Sequence, residues 1–275
     1  MPLISVNLQK LRVRMRALRR PRLNVAPDSD IIISLTSFPA RIEHVGATLD
    51  TLLSQTEPVR ALVLTLSEEE FPERKLPRSI RARQRRGLTV MWVEGNLRSF
   101  KKLIPVRQKF PWARIITVDD DKLYAQNLVA ELAQASEVWP NAIVGRCGRT
   151  FSIDAGGELR RGELLTEVVS SPAVYLLGGT GVLYPPDSIY WDANDVELID
   201  SLCPNHDDAW FWAMSLRQKT RRACLGVRKP AKNHLQATSP SLLSLSRRSN
   251  TMPREHHAVF SHYSLLDFLP REETE

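Results

Sequence analysis

The chain is short of cysteine, glycine and long apolar runs, and each shortage excludes something. Three cysteines, Cys147, Cys203 and Cys224, are an odd number without CxxC spacing, so neither a disulfide framework nor a cysteine metal site is expected. That predicts a reducing, cytoplasmic setting. No stretch approaches the ~20 apolar residues of a spanning helix, and the start lacks an apolar run followed by a small-residue cleavage site, which argues against a secretory signal. The densest glycine cluster, Gly178-Gly179-Thr180-Gly181, lacks P-loop spacing, and no Lys-Ser or Lys-Thr follows it. A kinase-type phosphate cradle is therefore disfavoured. Missing side chains there would either let a sugar or phosphate approach the backbone or make a tight turn between strands.

Acidic residues are also missing from one place. Residues 1–22 hold Lys10, Arg12, Arg14, Arg16, Arg19, Arg20 and Arg22 and no Asp or Glu. The whole chain has 38 basic and 31 acidic residues, so removing those seven leaves 31 against 31 and a neutral body. A basic arm on a neutral globule is not the phosphate-tracking surface of a nucleic-acid binder, and no nucleic-acid partner is expected. The arm interleaves its basic residues with Leu3, Ile4, Val6, Leu8, Leu11, Val13, Met15 and Leu18. Such a segment suits an anionic membrane surface, or else frays into solvent. The expected organisation is an arm over residues 1–27 and one domain over 28–275, placed in the cytoplasm and peripherally on the inner face of the membrane.

What is present is a strand and helix alternation. Ile31 to Leu35, Ala61 to Leu66, Thr89 to Val93 and Arg114 to Val118 are short apolar runs of the kind that form strands buried on both faces. Val45, Leu49, Leu52 and Leu53 recur at helical spacing, and Phe100 to Phe110 reads as a helix despite Pro105. This pattern predicts an α/β fold with a mostly parallel, Rossmann-like central sheet and helices on both faces. Further on, the pattern predicts a helix near Leu123 to Val138, a strand at Ala142 to Arg146, a loop around Asp154 to Gly157, and a strand-like stretch from Ala173 to Tyr184. Helices follow near Val196 to Leu202 and Asp207 to Arg217. Ser- and Arg-rich residues 238–250 read as a loop or lid. Ligands of such sheets bind beyond the carboxyl ends of the strands, where Thr36-Ser37, Ser67 and the acidic triplet would lie.

That triplet, Asp119-Asp120-Asp121 after Ile115-Ile116-Thr117-Val118, carries the strongest chemical signal. Three consecutive carboxylates repel unless a cation neutralises them, and oxygen ligands of this kind suit Mg²⁺ or Mn²⁺ completed by substrate phosphate and water. The plainer account is an acidic turn capping the next helix. Asp207-Asp208 is a second carboxylate pair at a helix start. It would serve as a general base toward an acceptor hydroxyl, or merely as an N-cap. Tyr184, Tyr190, Trp191, Trp210 and Trp212 would floor a sugar site or fill the core.

Several segments, in order, resemble bacterial GT-A glycosyltransferases of surface-polysaccharide loci. They are Ile33-Ser34-Leu35-Thr36-Ser37-Phe38-Pro39-Ala40-Arg41, Arg98-Ser99-Phe100-Lys101-Lys102-Leu103-Ile104-Pro105, Ile116 to Asp121, Gly178 to Pro186 and Cys203 to Phe211. The resemblance spans roughly Ile31 to Met214. It implies a GT-A fold and transfer of a sugar from a UDP- or GDP-sugar to a glycan or lipid-linked acceptor. It further implies that Thr36 and Arg41 contact the nucleotide, that Asp119 and Asp120 serve ribose and metal, and that Asp121 is the main metal ligand. Arg98 and Lys102 would sit beside the donor diphosphate, as basic side chains near a helix start suit an anion; their alternative is a solvated basic face. His262 and His257 are candidates for the late histidine that many such enzymes give to the metal. Two other readings stand beside this one. A sugar-nucleotide nucleotidyltransferase would need a Gly-rich loop where Leu35-Thr36-Ser37-Phe38-Pro39 has no glycine, and a non-catalytic binding module leaves both carboxylate groups unexplained.

Overall fold

A computed structural model describes residues 21–226, 232–233 and 251–272. Its centre is an eight-stranded sheet in the order β3-β2-β1-β4-β11-β6-β12-β9. The members are β1 (Ile31–Thr36), β2 (Ala61–Ser67), β3 (Leu88–Val93), β4 (Arg114–Thr117), β6 (Ile143–Gly145), β9 (Val169–Ser170), β11 (Val182–Tyr184) and β12 (Arg222–Cys224). β3, β2, β1 and β4 run parallel to one another, β6 and β12 share that direction, and only β11 and β9 run against it. The fold is thus α/β with a mostly parallel sheet, as the alternation of apolar runs and helical segments predicts.

Strand periodicity explains why the sheet is covered on both faces. In β1, Ile31, Ile33 and Leu35 join a cluster with Leu49 and Leu52 of α1 (Gly46–Leu52), Ile80 of α2 (Arg78–Gln84) and Leu128, Val129 and Leu132 of α4 (Leu128–Val138). Ile32 faces the other way, into a cluster with Ile104 and Val106 of α3 (Ile104–Lys109) and Ile199 of α5 (Val196–Leu202). Trp210 and Trp212 of α6 (Asp207–Arg217) and Phe260 of α7 (Thr251–His262) complete that cluster. Among the described residues no helix is long and apolar enough to cross a membrane.

The structure departs from the expected elements in three places. Phe100 to Phe110 is a 3₁₀ turn (Arg98–Lys102) followed by α3, with the break at Leu103, whose φ is −122°. Pro105 has no N–H to donate and would clash with a preceding carbonyl in mid-helix, so it sits in the first turn of a new helix. The helix expected from Leu123 begins at Leu128, because Lys122–Leu123 forms a short strand, β5, paired with β13 (Lys232–Asn233). The stretch from Ala173 to Tyr184 is two strands in different sheets, β10 (Val174–Leu176) and β11, separated by a 3₁₀ turn at Gly178–Thr180. The expected loop at Asp154 to Gly157 is present, as the tip of a hairpin of β7 (Gly148–Ile153) with β8 (Leu159–Leu164), in a separate three-stranded sheet with β10. Residues 238–250 and most of the basic arm lie outside the described residues. Of the arm's last residues, Leu23 is buried and its N–H donates to the Arg86 carbonyl at 2.9 Å.

Candidate functional site

β1 and β4 are parallel neighbours, with Ser34 opposite Thr117, so the chain leaving each strand emerges on the same side of the sheet. This register brings Ser37 and Arg41 to the acidic triplet. Ser37 Oγ donates to Asp120 Oδ2 at 2.7 Å and Arg41 Nη1 to Oδ1 at 2.6 Å, while Thr48 Oγ1 donates to the Asp120 carbonyl at 2.8 Å. Burial pushes the Asp120 pKa up and Arg41 and Ser37 pull it back, the burial effect being the larger. Asp120 is therefore a buried strut joining the two strand ends. Thr36 ends β1, and its hydroxyl donates to the Thr65 carbonyl of β2 at 2.8 Å.

Asp121 is different. Arg41 Nη2 stands 3.4 Å from its Oδ2, whereas its Oδ1 is buried with no hydrogen-bond partner among the described residues. A buried carboxylate oxygen left without a donor is costly unless something else supplies positive charge.

Asp119 opens a second cluster. Lys102 Nζ donates to its Oδ1 at 3.0 Å and Lys122 Nζ to its Oδ2 at 3.2 Å. The same Lys102 Nζ lies 2.8 Å from Asp207 Oδ2, in an ion pair whose angles fall short of a hydrogen bond. Burial opposes the charge on Lys102, but Asp119, Asp207 and Asp208 outweigh it and hold the ammonium well above its ordinary range. Burial likewise opposes ionisation of Asp119, yet Lys102 and Lys122 keep its carboxyl well below the usual carboxylate range. Asp208 goes the other way. Burial first, then Asp207 and Asp119, push its pKa up to about 7, against the pull of Lys102 and of the Gly178 N–H that donates to Oδ2 at 3.0 Å.

Two glycines make this packing feasible. A Cβ on Gly178 would overlap the Asp208 carboxylate, and one on Gly179 would overlap both Asp119 and the Lys122 ammonium. The space the sequence leaves for a ligand is filled by the chain's own charged groups. Tyr124 closes the arrangement, accepting from the Asp119 N–H at 2.8 Å and donating to the Gly179 carbonyl at 2.9 Å.

These contacts decide between the capping and clustering accounts. The N-cap of α6 is His206, and Asp207 and Asp208 occupy its first turn, facing Lys102 and Gly178 rather than capping. The triplet does not cap α4 either, since Asn127 holds that position. Other candidates lie elsewhere. Arg98 turns away from the triplet: its Nη1 donates to the Pro204 carbonyl at 3.0 Å and lies 3.8 Å from Asp200. His262 is exposed at the end of α7 with its ring 4.6 Å from that of Tyr263, and α7 packs on α6, α5 and β8. His257, earlier in α7, has a buried Nδ1 with no hydrogen-bond partner among the described residues. Trp210, Trp212 and Tyr184 are core, whereas Trp191 is 69% exposed. Among the described residues, no three His, Cys, Asp or Glu side chains converge to hold a metal.

The donor set therefore does not fit an all-protein metal cage. It does fit a hard cation held through Asp121, with phosphate and water supplying the rest, which is how Mg²⁺ is commonly bound. Asp119 is less free for that role, because both its oxygens are engaged by lysines. Sequence reasoning placed Ser37 at the strand end beside the triplet without giving it a role, and missed Lys122 and Tyr124; Lys122 follows the triplet directly and was the one legible signal.

No family model matches the chain, and no curated protein matches it. Among solved structures, it is similar to S. aureus TarS 1-349 at 14% identity and TM-score 0.46, over 73% of this chain and 58% of that one. It is also similar to the mannosyltransferase PcManGT from Pyrobaculum calidifontis in complex with GDP-Man and Mn²⁺, at 12% identity and TM-score 0.48, over 95% and 77%. A 4-diphosphocytidyl-2C-methyl-D-erythritol synthase gives 11% identity and TM-score 0.46, over 79% and 99%. These are likenesses of backbone only. The chain spans 58% of the TarS fragment, and identities this low transfer no activity.

Proposed function

We propose that this chain is a GT-A-type glycosyltransferase that moves a sugar from a UDP- or GDP-sugar onto a glycan or lipid-linked acceptor in surface-polysaccharide synthesis, with Mn²⁺ or Mg²⁺ as cofactor. The observations that carry the reading lie around the acidic triplet: a buried Asp121 oxygen with no hydrogen-bond partner among the described residues, and, in the cluster around Asp119, a carboxyl, Asp208, with its pKa pushed up to about 7.

Each part has work to do in such a transfer. Asp120, fixed by Ser37 and Arg41, sets the position of its neighbours. Asp121 would hold the cation, which when bound offsets the negative charge of the donor diphosphate as it departs. Lys122, partly exposed beside Asp119, adds a positive charge on the same side. Asp208 is a partly exposed carboxyl whose pKa near neutrality suits a general base. It would take the proton of the acceptor hydroxyl as that oxygen bonds to the sugar carbon and the bond to the diphosphate breaks. Lys102 bridges Asp119 and Asp207 and holds them in place around it. Residues 1–22 would hold the enzyme near a membrane-bound acceptor.

Purified protein incubated with UDP-, GDP-, CMP- and dTDP-sugars, with and without Mn²⁺, tests this reading. Turnover of one donor, lost in Asp121→Ala, is expected. Release of pyrophosphate from a nucleoside triphosphate and a sugar phosphate, without donor turnover, would favour the nucleotidyltransferase instead.

A further inference from the structure

Charge is spread unevenly on this chain, and the fold joins its two most basic segments. Residues 1–22 carry seven basic and no acidic residues, and residues 78–86 carry five arginines and no acidic residue. Setting those twelve apart from the 38 leaves 26 basic against 31 acidic residues, so the rest of the chain is net negative.

The junction is explicit. Leu23 donates to the Arg86 carbonyl at 2.9 Å, Arg86 Nη1 donates to the Pro21 carbonyl at 3.2 Å, and Leu23 packs on Gly87 where a Cβ would overlap it. Residues 21–23 thus lie alongside the end of α2. In α2 only Ile80 is buried, while Arg83, together with Arg86 just beyond the helix, turns inward to the Asp50 carboxylate. Arg78, Arg81 and Arg85 are exposed, as is Arg22, and among the described residues these four make no salt bridge. α2 packs on β3, the edge strand of the sheet, two strands away from β1.

We propose that Arg78, Arg81 and Arg85, with Arg22 where the basic segment joins the fold, form a docking face for an anionic lipid surface. Charge complementarity favours that occupant, because each basic side chain near an anionic bilayer adds to binding while the net-negative remainder of the chain is repelled and orients the face. The apolar residues interleaved with the basic ones in residues 3–18 favour lipid over nucleic acid, since they match the headgroup boundary and have no counterpart on a phosphate backbone.

The test is co-sedimentation of the full chain with vesicles of phosphatidylcholine alone or mixed with phosphatidylglycerol, at low and high salt. The intact protein is expected to bind only the mixed vesicles and to release at high salt. The surface triple variant Arg78→Glu/Arg81→Glu/Arg85→Glu, with residues 1–22 intact, is expected to lose about 100-fold in partitioning. Its thermal unfolding and its donor hydrolysis should be unchanged, so loss of docking is distinguishable from loss of the transferase reading. Undiminished binding by the triple variant, equal binding to neutral vesicles, or tighter salt-dependent binding to DNA than to the mixed vesicles would each overturn the proposal.

Discussion

Replacing Asp208 with Asn should stabilise the protein above neutral pH while abolishing the proposed chemistry. Asp208 shares its cluster with Asp119 and Asp207, against Lys102 and Lys122, so the cluster balances when Asp208 is neutral and carries an excess negative charge when it ionises. Its pKa is raised from 3.8 to about 7. Between those values the folded state keeps a proton that the unfolded chain has released, so stability falls as pH rises across that window and the full penalty is present above about 7. At 1.36 kcal/mol per pH unit the penalty amounts to about 4 kcal/mol at most, a melting shift of roughly 10 °C for a chain this size. Asn still offers an oxygen to the Gly178 N–H and has no charge to bury. Thermal unfolding of both proteins from about pH 4 to about pH 8 reads the effect. The difference should be small at the acid end, grow through the middle and level off. A difference that does not vary with pH, or a less stable variant at the alkaline end, would refute the reasoning.

Other consequences follow from the same contacts. Wild-type transfer should rise with pH through about 7 as Asp208 ionises, and Asp208→Asn should lower turnover by roughly 10²- to 10⁴-fold without that rise, as read from pH–rate profiles. Lys102→Ala strands Asp119 and Asp207 without their shared cation and should destabilise by about 3–5 kcal/mol, measured as a lowered denaturation midpoint. Gly179→Ala forces a methyl into Asp119 and Lys122, and about 1–3 kcal/mol of destabilisation with loss of turnover is expected; an unchanged melting temperature would show that the cluster can yield.

Much of the fold was legible because the parallel strands are continuous apolar runs. Ile31 to Leu35 and Ala61 to Leu66 contain almost nothing but residues that suit a strand covered on both faces. The β7–β8 hairpin was not legible, since Gly148, Arg149, Arg160, Arg161 and Gly162 interrupt any alternation, and its partner β10 is distant in sequence. At the site, the triplet and the Asp207-Asp208 pair stood out as clustered charge, but their partners did not. Lys101 and Lys102 are neighbours in sequence, yet the 3₁₀ turn sends Lys101 to Glu70 and Asn96 and Lys102 to Asp119 and Asp207. Only the turn's geometry separates them. Arg98 was expected at the diphosphate because a basic side chain near a helix start suits an anion, whereas its backbone, at φ 46°, turns it toward Pro204.

The most direct test of the central claim is calorimetric titration of the protein with UDP and GDP in the presence and absence of Mn²⁺, repeated on Asp121→Ala. One nucleotide should bind, more tightly with Mn²⁺, and the Mn²⁺ enhancement should vanish in the variant while its folding is unchanged. Binding of neither nucleotide, or an enhancement that survives loss of Asp121, would contradict the account.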